Sequence, residues 1–109
     1  MYLAMNRFTV LAENAAAFED LWLSRESRLH EFDGFVEFHM LKSAEKDGKI
    51  LYASHTVWAS ETDFTAWTRS QQFRDSHARA GQTRKLHEGH PTFEGFEAIQ
   101  HIGAKPQAA

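Results

Sequence analysis

The sequence predicts an α+β fold in which one antiparallel sheet packs against helices in the order β-α-β-β-α-β. Three observations predict it: an alternating apolar strand at the start of the chain, a strand hairpin in its middle, and helical spacing on either side of that hairpin. With 109 residues, 42% hydrophobic and 25% charged, the chain has the composition of a single globular domain. We expect that domain to cover residues 1–102 and to be followed by a flexible tail over residues 103–109.

The first strand is predicted over Tyr2–Leu11, where apolar residues alternate along the chain. Asn6 falls on the same face as Ala4, Phe8 and Val10. Burying an amide without partners costs about 1 to 3 kcal/mol, so a strand in the core would normally carry an aliphatic residue there. Asn6 therefore indicates a functional polar side chain within an apolar pocket.

Helical spacing replaces the alternation from Ala15 onward, with Asn14 as the expected N-cap. The predicted apolar stripe of this helix consists of Phe18, Leu21, Trp22 and Leu29. Two strands rich in aromatic and β-branched residues follow, over Phe35–Lys42 and Ile50–Ala59. A turn at residues 45–48 joins them into a hairpin.

A second helix is predicted to begin at Ser60, because residues 60–63 have the pattern of a capping box. Phe64 and Trp67 are spaced i, i+3 within it. The same helix is expected to continue with Phe73 and His77 at i, i+4 spacing, on one face, as far as Gly81.

The last strand is expected at about Phe93–Ile102, after a polar loop that reaches Pro91. The resulting order of elements is that of a ferredoxin-like fold. Its second strand carries apolar residues on both faces, with Val36, Phe38 and Met40 predicted on one and Phe35 and Leu41 on the other. Because a sheet with two apolar faces would aggregate if left open, we expect a homodimer that pairs sheet against sheet, with a ligand pocket between sheet and helices.

Several classes of function are disfavoured by composition. The formal charge of −3 and the scattered Lys and Arg residues give no basic face for nucleic acid, and the chain contains no cysteine for thiolate or iron–sulfur ligation. No run of eighteen apolar residues predicts a membrane span, so a cytoplasmic location is the default. His87 and His90 are spaced three apart, but the segment is predicted to be a loop and no further ligands complete a zinc shell.

Taken together, these segments resemble the IsdG-type haem-degrading monooxygenases of the antibiotic biosynthesis monooxygenase superfamily, which form dimeric α+β barrels. The resemblance covers about residues 1–102. The matching motifs are Met5-Asn6-Arg7, Val57-Trp58-Ala59-Ser60, Phe64-Thr65-Ala66-Trp67 and Phe73-Arg74-Asp75-Ser76-His77.

The resemblance implies that His77 is the axial ligand of haem iron, Asn6 the distal hydrogen-bond donor and Trp67 the side chain that distorts the porphyrin. It also implies that Trp22 and Arg25 line the haem, with Arg25 able to pair with a propionate. Further candidates for the propionates are Arg79, Arg84 and Lys85. Haem would be both cofactor and substrate: the ring is opened by dioxygen to a bilin-type product with electrons from an external donor, such as a reductase, and iron is released.

Two other functions remain open from the sequence. One is a monooxygenase of the same superfamily that oxidises a quinol or polyketide without a cofactor in the same cavity. The other is a haem-binding protein without catalytic activity. This scaffold hosts many functions, and only the combination of Asn6, Trp67 and His77 favours haem degradation.

Overall fold

The computed structural model describes residues 1–25, 27–80 and 86–105, except for the side chains of residues 76–80 and 90. The four strands and three helices are, in chain order, β1 Tyr2–Leu11, α1 Ala15–Leu23, β2 Phe35–Lys42, β3 Lys49–Trp58, α2 Glu61–Thr68, α3 Gln71–Ala80 and β4 Glu88–Glu97. Two short 3-10 turns, Ala12–Asn14 and Leu29–Glu31, complete the elements of the described chain. In this part of the chain, no helix is long and apolar enough to cross a membrane.

The strands form one antiparallel sheet in the order β2-β3-β1-β4, which confirms the predicted ferredoxin-like α+β fold. The two central strands, β1 and β3, pair along their whole length, from Tyr2 opposite Trp58 to Leu11 opposite Lys49. The inner face of the sheet, as we call the face turned toward the helices, carries the side chains of Tyr2, Ala4, Asn6, Phe8 and Val10 from β1. The opposite side of the sheet is its open face.

The core between the inner face and the helices is divided into two aromatic clusters. The Phe8 cluster consists of buried Phe8, Val10, Phe18, Ile50 and Tyr52, with Ala15, Trp22, Met40 and Leu86 packed against them. The Trp58 cluster consists of buried Tyr2, Ala4 and Trp58, with Leu29, Phe32, Phe35, Phe64 and Trp67 packed against them. Since Asn6 lies between Ala4 and Phe8 on β1, it separates the two clusters.

The first helix begins where predicted but is shorter and lacks the predicted cap. Asn14 has helical backbone angles (φ −99°, ψ 0°) and its side chain makes no capping hydrogen bond, because the chain enters α1 from a 3-10 turn. The helix ends at Leu23, and Leu29 lies in a separate 3-10 turn. The predicted stripe was therefore wrong at Leu29, which packs against the Trp58 cluster, whereas Phe18 belongs to the Phe8 cluster.

The predicted second helix is two helices, although its start is confirmed. The Ser60 Oγ accepts a hydrogen bond from the Asp63 amide at 3.2 Å and donates one to the Asp63 carboxylate at 3.0 Å. After Thr68 the helix breaks at Ser70, whose Oγ accepts from the Phe73 amide at 3.1 Å and so starts α3. The predicted end at Gly81 lies outside the described residues.

The strands β2 and β4 correct two further expectations. A bulge in the pairing of β2 with β3 after Phe35 places Phe35 opposite Trp58, on the same inner face as Met40. The last strand runs over Glu88–Glu97 and therefore includes residues that were predicted to form a loop. Pro91 is tolerated because β4 is an edge strand, while Ile99 and Ile102 lie beyond its end with 97% and 82% of their surface exposed.

Candidate active site

A single row of residues crosses the inner face of the sheet between the two aromatic clusters. Met40 of β2 lies opposite Ser54 of β3, Ser54 lies opposite Asn6 of β1, and Asn6 lies opposite Phe93 of β4. Directly paired residues of antiparallel strands have neighbouring side chains on one face of the sheet. We call these four residues the inner row.

The two polar members of the inner row have no partners within the fold. Asn6 and Ser54 are half-buried, and neither side chain makes a hydrogen bond with the described residues. Thr56, two residues along β3, shows the usual arrangement, since its buried hydroxyl donates to the Ala4 carbonyl at 3.3 Å. An amide and a hydroxyl left unpaired between aromatic clusters are available to a ligand that enters between sheet and helices.

Phe93 supplies an aromatic surface beside Asn6. Its ring stacks on Phe64 of α2 with centroids 5.8 Å apart and planes 8° from parallel, yet half of its surface (50%) remains exposed. Phe64 in turn lies 6.1 Å from Trp67. A half-exposed ring on the inner face marks the mouth of the candidate site at the β4 edge.

Trp67 lies in the Trp58 cluster, on one side of the inner row. Its ring is 5.7 Å from that of Trp58 and 4.8 Å from that of Phe73, which meets it edge-on. These contacts hold a half-buried indole between α2 and α3 and give it a fixed orientation. Such a ring can press on a flat ligand, as was predicted for Trp67, although in the described structure its neighbours are packing partners.

Trp22 and Arg25 lie on the other side of the inner row, at the C-terminal end of α1. The Trp22 ring packs edge-on against Phe8 at 5.7 Å, and the Arg25 guanidinium carbon lies 4.3 Å from the centre of the Trp22 ring. The distance is that of a cation–π contact. The structure therefore brings these two predicted residues together, across the inner row from Trp67.

His77 lies in α3, one turn after Phe73, but its side chain is not among those described. The side chain of Arg79 is likewise outside the described part, as are Arg84 and Lys85 altogether. Among the side chains that are described, no group of three acidic or histidine residues is arranged to hold a metal ion.

A cleft of about 110 Å³ opens beside Trp22, at the β2 edge of the Phe8 cluster. It is lined by Phe18, Glu19, Trp22, Leu23, Met40, Lys42 and Tyr52. Pockets for drug-sized ligands measure about 300 to 1,000 Å³, so this cleft by itself is too small for a porphyrin. Met40 links this cleft to the inner row.

The polar end of the cleft is an ion pair with a buried tyrosine. The Glu19 carboxylate accepts hydrogen bonds from Lys42 Nζ at 2.8 Å and from Tyr52 Oη at 2.5 Å. The bond from Lys42, followed by that from Tyr52, lowers the pKa of Glu19. Burial, with the Glu19 carboxylate beside it, raises the pKa of Tyr52. Both shifts favour the usual charge states, an ionised Glu19 and a neutral Tyr52. The Glu19 carboxylate is already bound by Lys42 and Tyr52.

Sequence reasoning missed Ser54 and Phe93 as members of the site. The signal for Ser54 was present, since it shares a face with Tyr52, Thr56 and Trp58 by strand alternation. Phe93 was placed at the start of the last strand, and only the observed register sets it opposite Asn6.

The protein is a ferredoxin-like α+β domain, because its helices pack on one face of an antiparallel sheet with strand order β2-β3-β1-β4. Its candidate site lies between the sheet and the helices. The chain belongs to the antibiotic biosynthesis monooxygenase family, whose model matches residues 1–79. This confirms the superfamily to which the sequence motifs pointed.

Individual relatives include proteins with and without haem. A staphylobilin-producing heme oxygenase from Staphylococcus haemolyticus is 28% identical over 87 residues, which cover 76% of this chain and 79% of that protein. The structure of the heme degrader MhuD from Mycobacterium tuberculosis matches 94% of this chain and all of its own (100%), with a TM-score of 0.71 and 22% identity. The cofactor-independent oxygenase SnoaB from Streptomyces nogalater matches 94% of this chain and 97% of its own, with a TM-score of 0.65 and 23% identity. At these identities the two structures establish the shared fold.

Proposed function

We propose that this protein is a haem-degrading monooxygenase that binds haem between the inner face and the helices. The observation that carries the proposal is the inner row, where the amide of Asn6 and the hydroxyl of Ser54 lie unpaired between two aromatic clusters. Aromatic walls suit the faces of a porphyrin, and an unpaired amide suits a polar group at its centre. The 28% identity to a heme oxygenase adds independent support.

The amide and aromatic side chains described at the inner row are of the kinds that a haem would need, and each candidate residue would have a role. Asn6 would donate a hydrogen bond on the sheet side of the ligand, and Trp67 would press on the ring from the Trp58 cluster. His77, on the helix after Phe73, would hold the iron. Bound haem would supply both the redox-active iron and the ring that is oxidised by dioxygen, with electrons from an external donor for which we propose a reductase.

The alternative is a monooxygenase that oxidises a quinol or polyketide without haem. One observation favours it: the cleft of about 110 Å³ beside Trp22 admits a ligand much smaller than a porphyrin. The likeness to SnoaB agrees with that alternative in fold. A haem carrier without activity would share the binding residues of the main proposal but would leave the porphyrin intact.

The open face supports the further proposal that the protein works as a homodimer. Large apolar side chains are exposed on this face. Leu41 exposes 42% of its surface, Leu51 38% and Phe96 45%. Leu41 and Leu51 lie on the side opposite the helices, as do Arg7 and Glu94, which form an ion pair at 2.6 Å. Phe96 pairs with Leu3 on the same face. A second copy that packs its own open face here would cover these apolar side chains, as expected from the sequence.

Haem degradation is tested by adding haemin to the purified protein and then ascorbate in air, with catalase present. We expect saturable binding at one haem per chain, then loss of the Soret band and release of chelatable iron. His77→Ala should lose the spectrum typical of histidine ligation, whereas Asn6→Ala should bind haem but degrade it slowly. A stable Soret band would indicate a carrier, and no specific binding would favour the cofactor-free alternative.

A further inference from the structure

Two histidines that are distant in the sequence form a pair on the open face. His39 of β2 lies directly opposite His55 of β3. Each is the sequence neighbour of a member of the inner row, Met40 or Ser54, so strand alternation places both on the other side of the sheet. Their imidazole rings stack with centroids 5.7 Å apart and planes 27° from parallel. The pair therefore lies outside the candidate active site, and the proposed reaction leaves it without a role.

The spacing of the two rings suits the chelation of one metal ion. In a tetrahedral zinc site, with Zn–N bonds of about 2.0 to 2.1 Å, two imidazoles have ring centres about 5 Å apart. Small side-chain rotations would bring His39 and His55 from the observed 5.7 Å to that arrangement. Both rings are also accessible, since half of the His39 side chain (50%) is exposed and His55 is half-buried. Because strand pairing holds the two backbones side by side, the second ligand binds at a high effective concentration.

The charges around the histidine pair favour a cation. The Glu37 carboxylate lies 4.0 Å from the His39 Nε2 on the same face. Arg7, a basic residue on the same face of β1, is paired with Glu94 at 2.6 Å, which offsets its positive charge. The chain has no cysteine, so imidazole nitrogen is the zinc ligand that it offers here.

One copy of the protein supplies only part of a metal shell at this place. No group of three histidine or acidic side chains in the described part of the chain is arranged to hold a metal ion, whereas structural zinc sites have four ligands. His55 lies on a central strand, opposite Met5 and close to the middle of the β1–β3 pairing. In a symmetric dimer that packs open face against open face, residues near the centre of that face meet their own copies. A second copy would thus bring its own histidine pair to the first.

We propose that His39 and His55 form half of a zinc site and that the same two histidines of a second copy complete it. Four imidazoles would then hold one ion per dimer, on the side of the sheet opposite the candidate active site. The inference rests on the proposed function only in that the second copy is that of the proposed homodimer, and it does not depend on haem. The ion would set the alignment of the two copies and stabilise their association.

The first test measures zinc binding to the native protein after metal removal with EDTA and dialysis, by competition with a chromophoric zinc indicator. We expect about one Zn²⁺ per two chains. Loss of even an outer hydrogen-bond partner of a zinc ligand weakens binding by about 10- to 100-fold, so His39→Gln and His55→Gln should each weaken it by about 100-fold or more. His101→Gln, at an exposed position outside the strands, is the matched control and should bind zinc as the native protein does. A Tm in EDTA equal to that of the native protein verifies that each variant is folded.

Assembly provides the second test. The dissociation constant of the dimer is measured by analytical ultracentrifugation in EDTA and in Zn²⁺. At a zinc concentration about 100 times the dissociation constant of the site, an ion that binds only the dimer lowers the dimer dissociation constant by about 100-fold. We expect this shift in the native protein and in His101→Gln, and its loss in His39→Gln and His55→Gln.

The outcomes separate the zinc site from the proposed homodimer and from haem degradation. One zinc per chain, zinc binding that leaves the dimer dissociation constant unchanged, or binding that survives both histidine variants would overturn the shared site. A protein that is dimeric in EDTA and binds no zinc would also overturn the site but would leave the homodimer standing. A protein that is monomeric with and without Zn²⁺ would refute both. Haem degradation is tested independently by the Soret band.

Discussion

Replacing Asn6 with leucine should stabilise the protein while it abolishes haem turnover. The Asn6 amide has no partner among the described residues, and leucine has nearly the same shape without the polar group. An unpaired amide that is fully buried costs about 1 to 3 kcal/mol, but the atoms of the Asn6 amide still reach solvent, so only a small part of that cost applies here. A better strand former adds up to about 1 kcal/mol in a half-buried position. We therefore expect the free energy of unfolding to rise by about 1 kcal/mol, which for a domain of this size corresponds to about 4 to 6 °C in Tm.

The assay is urea unfolding of the protein without haem, followed by the turnover assay with haemin and ascorbate. Thr56→Val is the matched control, because it is also a nearly isosteric change on the inner face but removes a hydrogen bond that exists, from Thr56 Oγ1 to the Ala4 carbonyl. That variant should lose about 1 kcal/mol. If Asn6→Leu destabilises the protein as Thr56→Val does, Asn6 has a structural partner and the argument for a ligand at the inner row fails.

Three further changes test the surroundings of the site. The hydrogen bond from Lys42 is the main cause that lowers the pKa of Glu19, so ionised Glu19 stabilises the fold above the ordinary pKa of 4.5 and this contribution is lost as the pH falls below it. Between about pH 6 and about pH 3, the free energy of unfolding measured in urea should therefore fall less for Glu19→Gln than for the native protein. An equal fall in the two proteins would contradict this. Gly95→Ala should destabilise the protein by about 1 to 3 kcal/mol because a Cβ at Gly95 would overlap the Tyr2 hydroxyl, and a Tm equal to that of the native protein would show that Tyr2 adopts another rotamer freely. Leu51→Glu on the open face should convert the expected dimer into a monomer in size-exclusion chromatography with light scattering, whereas a native protein that is itself monomeric would refute the sheet-to-sheet dimer.

Strand alternation and capping chemistry were sufficient to predict most of the fold. The alternation over residues 2–11 places Asn6 on the inner face, and the Ser60 capping box starts α2 where expected. The last strand was misplaced because Gly89 and Pro91 interrupt its pattern, while the edge position that tolerates a proline is a property of the assembled sheet. Leu29 was misassigned for a related reason: its spacing suits a helix, but it packs on a different cluster from Phe18.

The candidate site was predictable only in part. Asn6 is conspicuous in the sequence as an amide among apolar residues, and the structure places it on the inner face as expected; its position between two aromatic clusters was not predicted. The pairing of Ser54 and Phe93 with Asn6 depends on strand register, which is fixed by pairing across the whole sheet. His87 was considered only as a weak metal ligand, because a histidine in a predicted loop gives no indication of burial. Its contact with Phe8 depends on the pairing of β4 with β1, which the sequence does not give.

The most direct test of the central claim is the fate of the Soret band when the haemin complex of the native protein receives ascorbate in air with catalase present. Catalase removes free hydrogen peroxide, so degradation by peroxide in solution is suppressed. We expect the band to disappear with release of about one chelatable iron per haem bound, and we expect Asn6→Leu to retain the band under the same conditions. A native complex whose Soret band persists, or an Asn6→Leu variant that degrades haem at the native rate, would contradict it.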